Sequence, residues 1–335
     1  DWGANAWSDS SNGSGQLGGQ GAVSSRSGSL GSINSFGLAS GGDYVAVRGP
    51  NYIDSAIIAN RFRVRADAGF DNFYPDRAEF FYAQCGCFGA GAPGPGTSNP
   101  NVLATNVDYQ EVTGYLERAF SDQFSVFAEL PFRMVQYELD PAVNNATVIN
   151  DAGGVSDLNV GFKYLLASNC QRDITFQLRI YTPTGDARRG LGTAHVSLEP
   201  SVLFFNVHSH RWYTFGEFRV WIPISDSNFN GDNFAGPVLR YGLGTSYMLA
   251  EQCFHNKMSR LDGVAEFVGW TVLDGYKFNP LTPTELDASG DTIINVKAGL
   301  RWSVGRHAIA GSYGTALTRE TWYQSIARLE YTMTF

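Results

Sequence analysis

The sequence contains no long hydrophobic run. Within its 335 residues, no stretch approaches the roughly 18 consecutive apolar residues that a membrane-spanning helix needs. A chain of this length forms either one large β domain or two ordinary domains. If the protein enters a membrane, it must therefore do so with alternating strands, whose signal in each segment is much weaker than that of a helix.

Positive charge is also scarce. The 24 Lys and Arg residues are outnumbered by 32 Asp and Glu residues, which gives a net charge of −8, and the basic residues are scattered along the chain. The long-range electrostatic field therefore repels nucleic acid, and we exclude nucleic-acid binding.

Cysteine is rare and poorly spaced for metal chemistry. Cys85 and Cys87 flank a single glycine, whereas Cys170 and Cys253 stand alone. The chain lacks both the C-x-x-C spacing of zinc sites and the cysteine density of a disulfide scaffold. We expect no metal, no cofactor and no bridge between Cys170 and Cys253. Cys85 and Cys87 have two alternatives: a strained disulfide ring with each other, or bonds to partner molecules.

The first 55 residues differ in composition from the rest. Residues 1–55 are dominated by Ser, Gly and Asn, which is typical of linkers and disordered tails. The chain begins at Asp1 without the charged and apolar regions of an export signal, so we expect a mature exported product. We predict a Gly/Ser-rich N-terminal segment over 1–55, acting as a plug or as a partner-binding arm, and a transmembrane β-barrel over 56–335.

From about residue 58 the chain alternates between polar and apolar side chains. The clearest run is RFRVRADAGF at 61–70, and the same period of two recurs at 125–130, 157–164, 174–180 and 295–302. Such alternation predicts strands with one apolar and one polar face. A soluble sandwich alternates as well, but its connections should be short at both ends of the strands.

The connections between the alternating segments are unequal. The segments predict strands at 59–73, 105–120, 123–137, 155–167, 173–183, 194–207, 211–223, 237–250, 258–272, 290–303, 306–318 and 322–335. Every second connection is a short turn, and these turns lie at 121–123, 168–172, 208–210, 251–257 and 305–306. The joints between them are mostly long and rich in Gly, Pro, Asn and Asp, at 74–104, 138–154, 184–193, 224–236 and 273–289. Short turns on one side and long loops on the other are typical of an outer-membrane barrel.

We therefore predict an all-β fold, a transmembrane antiparallel up-and-down β-barrel of about 12 strands in a bacterial outer membrane. An even number of strands places both termini on the periplasmic side. Residues 76–84 also alternate, but a strand there would make the count odd. We assign them to the first external loop.

The C-terminus carries the most specific feature. Residues 327–335, ARLEYTMTF, alternate to the end and finish on an aromatic residue. This pattern resembles the C-terminal strand signal by which outer-membrane proteins are recognised for barrel assembly, and Tyr331, Met333 and Phe335 are its main residues. It implies the barrel-assembly machinery and outer-membrane lipid as partners. A soluble β protein with such an exposed apolar edge would tend to aggregate.

A second resemblance covers residues 153–223. The run GVSDLNVGFKY at 154–164 is followed by YTPTGD at 181–186, GLGT at 190–193 and LEP at 198–200. Together these runs resemble the outer-membrane transporter family of the phenol-degradation (meta-cleavage) pathway, whose wider group includes channels for aromatic and other hydrophobic compounds. The resemblance implies a porin-like channel or transporter with a small-molecule solute as its partner.

The polar faces of the strands should line the lumen, because an Arg or Lys facing lipid at mid-membrane costs about 2–4 kcal/mol. The predicted pore-lining residues are Arg61, Arg63, Arg65, Asp67, Glu129, Arg133, Asp157, Lys163, Arg179, Glu199, Glu217, Arg219, Arg240, Glu266, Lys297, Arg301, Arg328 and Glu330. Their mixed signs fit either a solvated channel lining or an ion-pair lattice that fills the barrel. We expect part of residues 1–55 to narrow the lumen, in contact with Arg61, Arg63 or Arg65.

Aromatic residues near the predicted strand ends are expected to form interfacial girdles. They are Trp212, Tyr213, Trp221, Trp270, Trp302, Trp322 and Tyr323.

Two other functions stay in view. An outer-membrane lipid hydrolase would need Ser and His together, and the nearest constellation is His195 with Ser197 and Ser201. It has no nearby Asn-Gly signature, so we expect no catalytic residues and no enzyme activity. The other function is a structural barrel that anchors a larger cell-envelope assembly through its N-terminal arm, with an envelope protein or a second copy as partner.

Overall fold

The computed structural model describes residues 53–72, 104–139, 151–186, 189–193, 195–224, 228–229, 232–233, 235–254, 257–278, 285–319, 321 and 323–335. These residues include no helix long and apolar enough to span a membrane. The predicted extra strand at 76–84, together with Cys85 and Cys87, lies outside the described residues.

The described residues form β-strands joined by turns and loops. The strands are β1 (Arg61–Asn72), β2 (Ala104–Ala119), β3 (Phe124–Leu139), β4 (Ala152–Val155), β5 (Asn159–Ser168), β6 (Arg172–Tyr181), β7 (Ser197–Val207), β8 (Trp212–Pro223), β9 (Asn228–Phe229), β10 (Asp232–Asn233), β11 (Val238–Phe254), β12 (Lys257–Val272), β13 (Tyr276–Phe278), β14 (Glu285–Asp287), β15 (Thr292–Val304), β16 (His307–Ala316) and β17 (Ser325–Thr334).

Twelve of these strands close into an antiparallel barrel. Its order is β1, β2, β3, β5, β6, β7, β8, β11, β12, β15, β16 and β17, and β17 pairs back onto β1. Phe62 of β1 lies opposite both Leu116 of β2 and Met333 of β17. β4 adds a short strand on β3, and the β9–β10 and β13–β14 hairpins stand apart from the barrel sheet. The predicted all-β barrel of 12 strands is confirmed.

The two ends of the barrel differ in their connections. At one end, here called the short-turn end, the strands join through residues 120–123, 169–171, 208–211, 255–256 and 305–306. At the other, the loop end, they join through 73–103, 140–158 (which contains β4), 182–196, 224–237, 273–291 and 317–324. Gly305 has a φ of 56°, a left-handed conformation that glycine adopts without steric cost in a tight turn.

The fourth barrel strand differs from the prediction. A single strand over 155–167 was expected, but β4 and β5 are separated by residues 156–158. The pairing of β3 with β5 ends at Glu129 opposite Asn159, and its pairing with β4 starts at Phe132 opposite Val155. Three residues therefore face two on β3, as in a bulge. Pro131 lies at this point and has no N–H to donate to a neighbouring strand.

Side chains alternate between the outside and the inside of the barrel. Outside, large apolar residues are about half exposed, among them Leu116, Phe218, Leu243, Leu300 and Leu329. So much exposed apolar surface is unusual for a protein in water and suits a hydrocarbon environment. Inside, buried charged side chains share the lumen with a cluster of apolar and aromatic residues.

Candidate functional site

The predicted pore-lining residues all lie on the inner face of the barrel or at its loop end. All are buried except Arg65 and Arg240, which are half-buried. Asp157 differs from the others because it lies in the break between β4 and β5. Their role in lining an open pore stays a prediction, and their contacts determine what the lumen can do chemically.

A short stretch before β1 runs inside the barrel. We call residues 53–57 the inner segment. Its residues Ile53, Ser55 and Ala56 are buried, although none of them belongs to the sheet. Thr175 of β6 donates a hydrogen bond of 2.5 Å to the carbonyl of Ala56, and Arg61 donates one of 3.4 Å to Ser55 Oγ.

Asp54 is the main polar contact of the inner segment. Its Oδ2 accepts hydrogen bonds from Arg179 at 2.7 Å, Gln177 at 3.0 Å and Arg219 at 3.2 Å. Its backbone N–H donates to Glu217 Oε2 at 3.1 Å. β6 and β8 thus hold one carboxylate oxygen of a chain segment that lies outside the sheet.

The arginines around Asp54 also have carboxylate partners in the barrel wall. Arg179 lies 3.5 Å from Glu129 and 3.8 Å from Glu199. Arg219 lies 2.6 Å from Glu199 and also pairs with Glu217. Because the wall supplies these partners, the arginines keep counter-charges independently of Asp54.

Arginines and carboxylates are also paired on the part of the wall next to this group. Arg133 contacts Glu111 at 2.5 Å, and Arg328 contacts Asp67 at 2.5 Å. Arg65 lies between them, 3.1 Å from Asp67 and 3.6 Å from Glu111. These contacts tie β1, β2, β3 and β17 together across the lumen surface.

Towards the short-turn end, Lys163 and Arg61 share Glu117. The Lys163 Nζ lies 3.0 Å from Glu117 Oε2, and Arg61 lies 3.9 Å from the same oxygen. Tyr115 and Ser125 each donate a hydrogen bond of 2.8 Å to Glu117. On the opposite wall, Arg260 pairs with Asp262 at 2.6 Å, and Lys297 stands opposite Glu266 in the strand register.

Four of these acids were not among the predicted pore-lining residues. Glu111 and Glu117 of β2 share the inward parity of Thr113 and Tyr115, so the alternation alone could have identified them, as it could Asp262 on β12. Asp54 follows no such pattern. Only the path of the inner segment through the barrel brings it to Arg179 and Arg219.

A cavity of about 120 Å³ lies in the lumen beside Asp54. Aromatic rings from Tyr109, Tyr181, Trp270 and Tyr323 line it together with charged side chains such as Arg240. Arg240 stacks on Trp270 with 5.3 Å between the guanidinium carbon and the ring centroid. The cavity therefore offers both flat apolar surfaces and hydrogen-bonding groups to a small molecule.

Asp157 fastens the loop between β6 and β7. Its carboxylate accepts hydrogen bonds from the backbone of Gly185 at 2.9 Å and of Thr193 at 2.7 Å, and from Thr193 Oγ1 at 2.9 Å. A methyl group added at Gly192 would lie only 2.5 Å from Asp157 Oδ1. Glycine at this position therefore allows the loop to approach the carboxylate.

The structure brings His195 and Ser197 together but not Ser201. The His195 Nδ1 lies 3.0 Å from Ser197 Oγ, whereas Ser201 donates to the carbonyl of Gln177. Both His195 and Ser197 are fully buried, and burial lowers the pKa of the His195 imidazole to about 4. A serine nucleophile needs contact with its substrate, so this geometry lends no support to the hydrolase alternative.

The residues of the assembly signal lie on the outer face. Phe335 is 47% exposed, and Tyr331 and Met333 are half-buried between the buried residues of β17. The Phe335 N–H donates to the carbonyl of Asn60 beside β1. The expected pairing of the first and last strands is present, and recognition by an assembly machinery stays a prediction.

The predicted aromatic girdles are partly wrong. Trp212 and Trp302 are exposed and donate from their indoles to Thr245 and Ser259 on neighbouring strands, as interfacial residues do. Buried positions inside the barrel are instead taken by Tyr213, Trp270 and Tyr323, and Trp322 lies outside the described residues. On β8 and β12 the inward parity of Tyr213 and Trp270 outweighs the interfacial preference of their rings, whereas Tyr323 lies in the connection before β17.

Both single cysteines lie at the short-turn end and are free and exposed. Cys170 lies in the turn before β6, as expected. Cys253 was expected in a turn, but β11 continues to Phe254 and pairs Cys253 with Met258. Within the described part of the chain, no group of three or more His, Cys, Asp or Glu side chains could hold a metal ion.

No family model matches the sequence, and no curated protein matches it. Solved structures do share its architecture. A crystal structure of an outer-membrane channel from Pseudomonas putida F1 aligns with 85% of this chain and 99% of its own, at 13% identity and a TM-score of 0.52. The chain has the fold of an outer-membrane β-barrel. The NanC porin aligns with 82% of this chain and 98% of its own, at 9% identity and a TM-score of 0.44.

Proposed function

We propose that this outer-membrane barrel is a passive channel for small molecules. The observation that carries the proposal is the lumen cavity beside Asp54, which is lined by aromatic rings and charged side chains. Around it, a closed wall keeps apolar residues outside and polar residues inside. Lumens of this kind suit the passage of small polar or amphipathic solutes.

The solutes we propose are aromatic or hydrophobic compounds. The resemblance of residues 153–223 to the transporter family of the phenol-degradation pathway supports this class. The rings of Tyr109, Tyr181, Trp270 and Tyr323 in the cavity lining support it as well, because aromatic pairs gain energy from stacked or edge-to-face contacts.

We also propose that both termini face the periplasm. The short-turn end carries the start of β1 and the end of β17, and outer-membrane barrels have short periplasmic turns and longer external loops. Residues 331–335 would present the assembly signal at that rim.

Electrical recording in a planar lipid bilayer tests the channel. Purified, folded protein should give stepwise increases in current, and an aromatic solute should reduce the current by entering the lumen. Arg219→Gln changes a side chain of the lumen and none of the outer wall, so it separates an effect on current from an effect on membrane insertion. A folded protein that inserts but gives no current would contradict the proposal.

Residues 1–55 are proposed to narrow the channel from inside. Of these residues the structure describes 53–55, and Asp54 is held by Arg179, Arg219 and Gln177 in the lumen. Two truncations separate the contribution of residues 2–50 from that of the inner segment. Removing residues 2–50 retains the inner segment, whereas removing residues 2–57 takes Asp54 away.

We expect the shorter truncation to raise conductance and the longer one to raise it further, with folding intact in both. The measurement is single-channel current at fixed voltage and salt. Conductance equal to that of the full chain in both truncations would assign residues 1–55 to partner binding.

A structural anchor is the second candidate. The dense ion pairing of the lumen favours it, since Arg133, Arg179, Arg219 and Arg328 each contact a carboxylate of the barrel wall, and such pairs fix geometry more than they add stability. Such an anchor would bind an envelope partner through residues 1–55 and would stay electrically silent. The bilayer recording therefore separates the two functions.

A further inference from the structure

Three hydrogen-bond donors of the barrel wall converge on a carboxylate that the wall does not supply. Arg179 and Gln177 come from β6, Arg219 from β8, and all three reach Asp54 Oδ2 within 3.2 Å. Arg179 and Arg219 are themselves fixed by Glu129, Glu199 and Glu217. The donors are thus positioned by the sheet, whereas their acceptor sits on the inner segment.

This arrangement has the chemistry of a carboxylate-binding site. Two guanidinium groups and one amide N–H surround a single oxygen, and charge-assisted hydrogen bonds of this kind are stronger than neutral ones. Arginine side chains hold the geometry because their planar guanidinium groups present donors in a fixed fork. Any carboxylate of similar size that reached the site would meet the same donors.

The site opens onto the lumen cavity. Asp54, Arg179 and Arg219 all belong to the cavity lining, together with Tyr181 and Trp270. The guanidinium carbon of Arg179 lies 5.9 Å from the Tyr181 ring centroid. A ligand with its carboxylate at the arginines would therefore have aromatic surface within reach for its apolar part.

We propose that Arg179, Arg219 and Gln177 form a binding site for the carboxylate of an aromatic or hydrophobic acid, and that Asp54 occupies this site as a built-in competitor. The inference rests on the proposed function, because a solute must reach the lumen. It adds the class of solute and a mechanism of competition: the inner segment and the solute carboxylate exclude each other at the same donors.

Calorimetric titration of the full-length protein in detergent with sodium benzoate tests the competition. In Asp54→Asn the competing charge is removed, so benzoate should bind at least about tenfold more tightly than in the wild type, the scale of one charge-assisted hydrogen bond. Benzamide, which has the same shape without the charge, should show no such gain. Equal affinity of benzoate for the two proteins would overturn the proposal.

A double variant locates the binding. Adding Arg219→Gln to Asp54→Asn should remove most of the gained benzoate affinity, and an unchanged affinity would place the ligand elsewhere and overturn the assignment. Titration of the wild type is a further test that needs no variant. The wild type should bind benzoate weakly and in preference to benzamide. Equal heats for both compounds would contradict the site.

These titrations do not depend on current through the barrel. A protein that binds benzoate as expected but stays silent in the bilayer would refute the channel and keep the carboxylate site. A protein that conducts but shows no difference between Asp54→Asn and the wild type would refute the site and keep the channel.

Discussion

At the scale of single residues, the lumen shows how a barrel accommodates many buried charges. A buried charge is costly unless it is paired and hydrogen-bonded. Glu117 illustrates this, because Lys163, Arg61, Tyr115 and Ser125 all contact its carboxylate. Replacing one partner would leave the others buried, so the contacts fix the geometry of the wall more than they add to its stability.

Asp157 should stabilise the loop between β6 and β7. In Asp157→Ala the backbone N–H groups of Gly185 and Thr193 lose their acceptor, so we expect a loss of about 1–3 kcal/mol in the free energy of unfolding. Urea titration in lipid vesicles measures this loss. Asp122→Ala, in an exposed turn, should stay within about 0.5 kcal/mol of the wild type. Equal losses in both variants would contradict the role of Asp157.

His195 should make stability depend on pH. Its pKa falls from an ordinary 6.5 to about 4 in the folded protein. Below pH 6.5 the unfolded chain therefore binds a proton that the folded chain does not. The contribution to stability is complete above pH 6.5 and declines as the pH falls towards 4, by about 3 kcal/mol in total.

Unfolding by urea at pH 7 and pH 5 measures this effect. The loss of stability between the two pH values should be smaller in His195→Gln than in the wild type. His208→Gln, at an exposed position of the short-turn end, should keep the wild-type difference. A His195→Gln protein with the full wild-type pH dependence would show that another group is responsible.

At the scale of elements, each barrel strand separates two environments. β17 alternates between outward residues such as Leu329, which is 59% exposed, and inward residues such as Arg328 and Glu330. A shift of register by one residue would exchange the two faces completely. The break between β4 and β5 shows the limit of the alternation, because Pro131 and an extra residue interrupt the ladder there.

Leu329→Arg should test the outward face of β17. An arginine facing lipid near mid-membrane costs about 2–4 kcal/mol, so the free energy of unfolding in vesicles should fall by that amount. Leu317→Arg is the matched control, because Leu317 is similarly exposed at 57% but lies beyond the end of β16. It should cost less than half as much, and equal costs would argue against a lipid-facing β17.

At the scale of the whole molecule, the pairing of β1 with β17 leaves neither of these strands with a free edge, and free edges are the usual sites of strand aggregation. It also brings the two ends of the barrel sequence to the same rim. The proposed orientation therefore places Cys170, Cys253 and both barrel ends in the periplasm.

Thiol labelling in cells tests this orientation. In a background with Cys85→Ser and Cys87→Ser, a membrane-impermeant maleimide should not label Cys170 or Cys253 in intact cells and should label them once the outer membrane is permeabilised. Ser289→Cys, in an exposed turn at the loop end, should be labelled in intact cells if both native cysteines are first replaced. The opposite labelling pattern would show that the barrel has the reverse orientation in the membrane.

The sequence by itself determined the barrel and the inward positions of its charges. Strand alternation and the inequality of successive connections are local properties, and they were enough to predict twelve strands and the parity of residues such as Arg179 and Lys297. Only the tertiary structure decided which charges meet. Asp54 reaches Arg179 and Arg219 because the inner segment lies inside the lumen, and contacts across 125 or more residues depend on closure of the whole barrel. Local periodicity encodes the face of each strand, whereas long-range pairing follows from the shape that all strands form together.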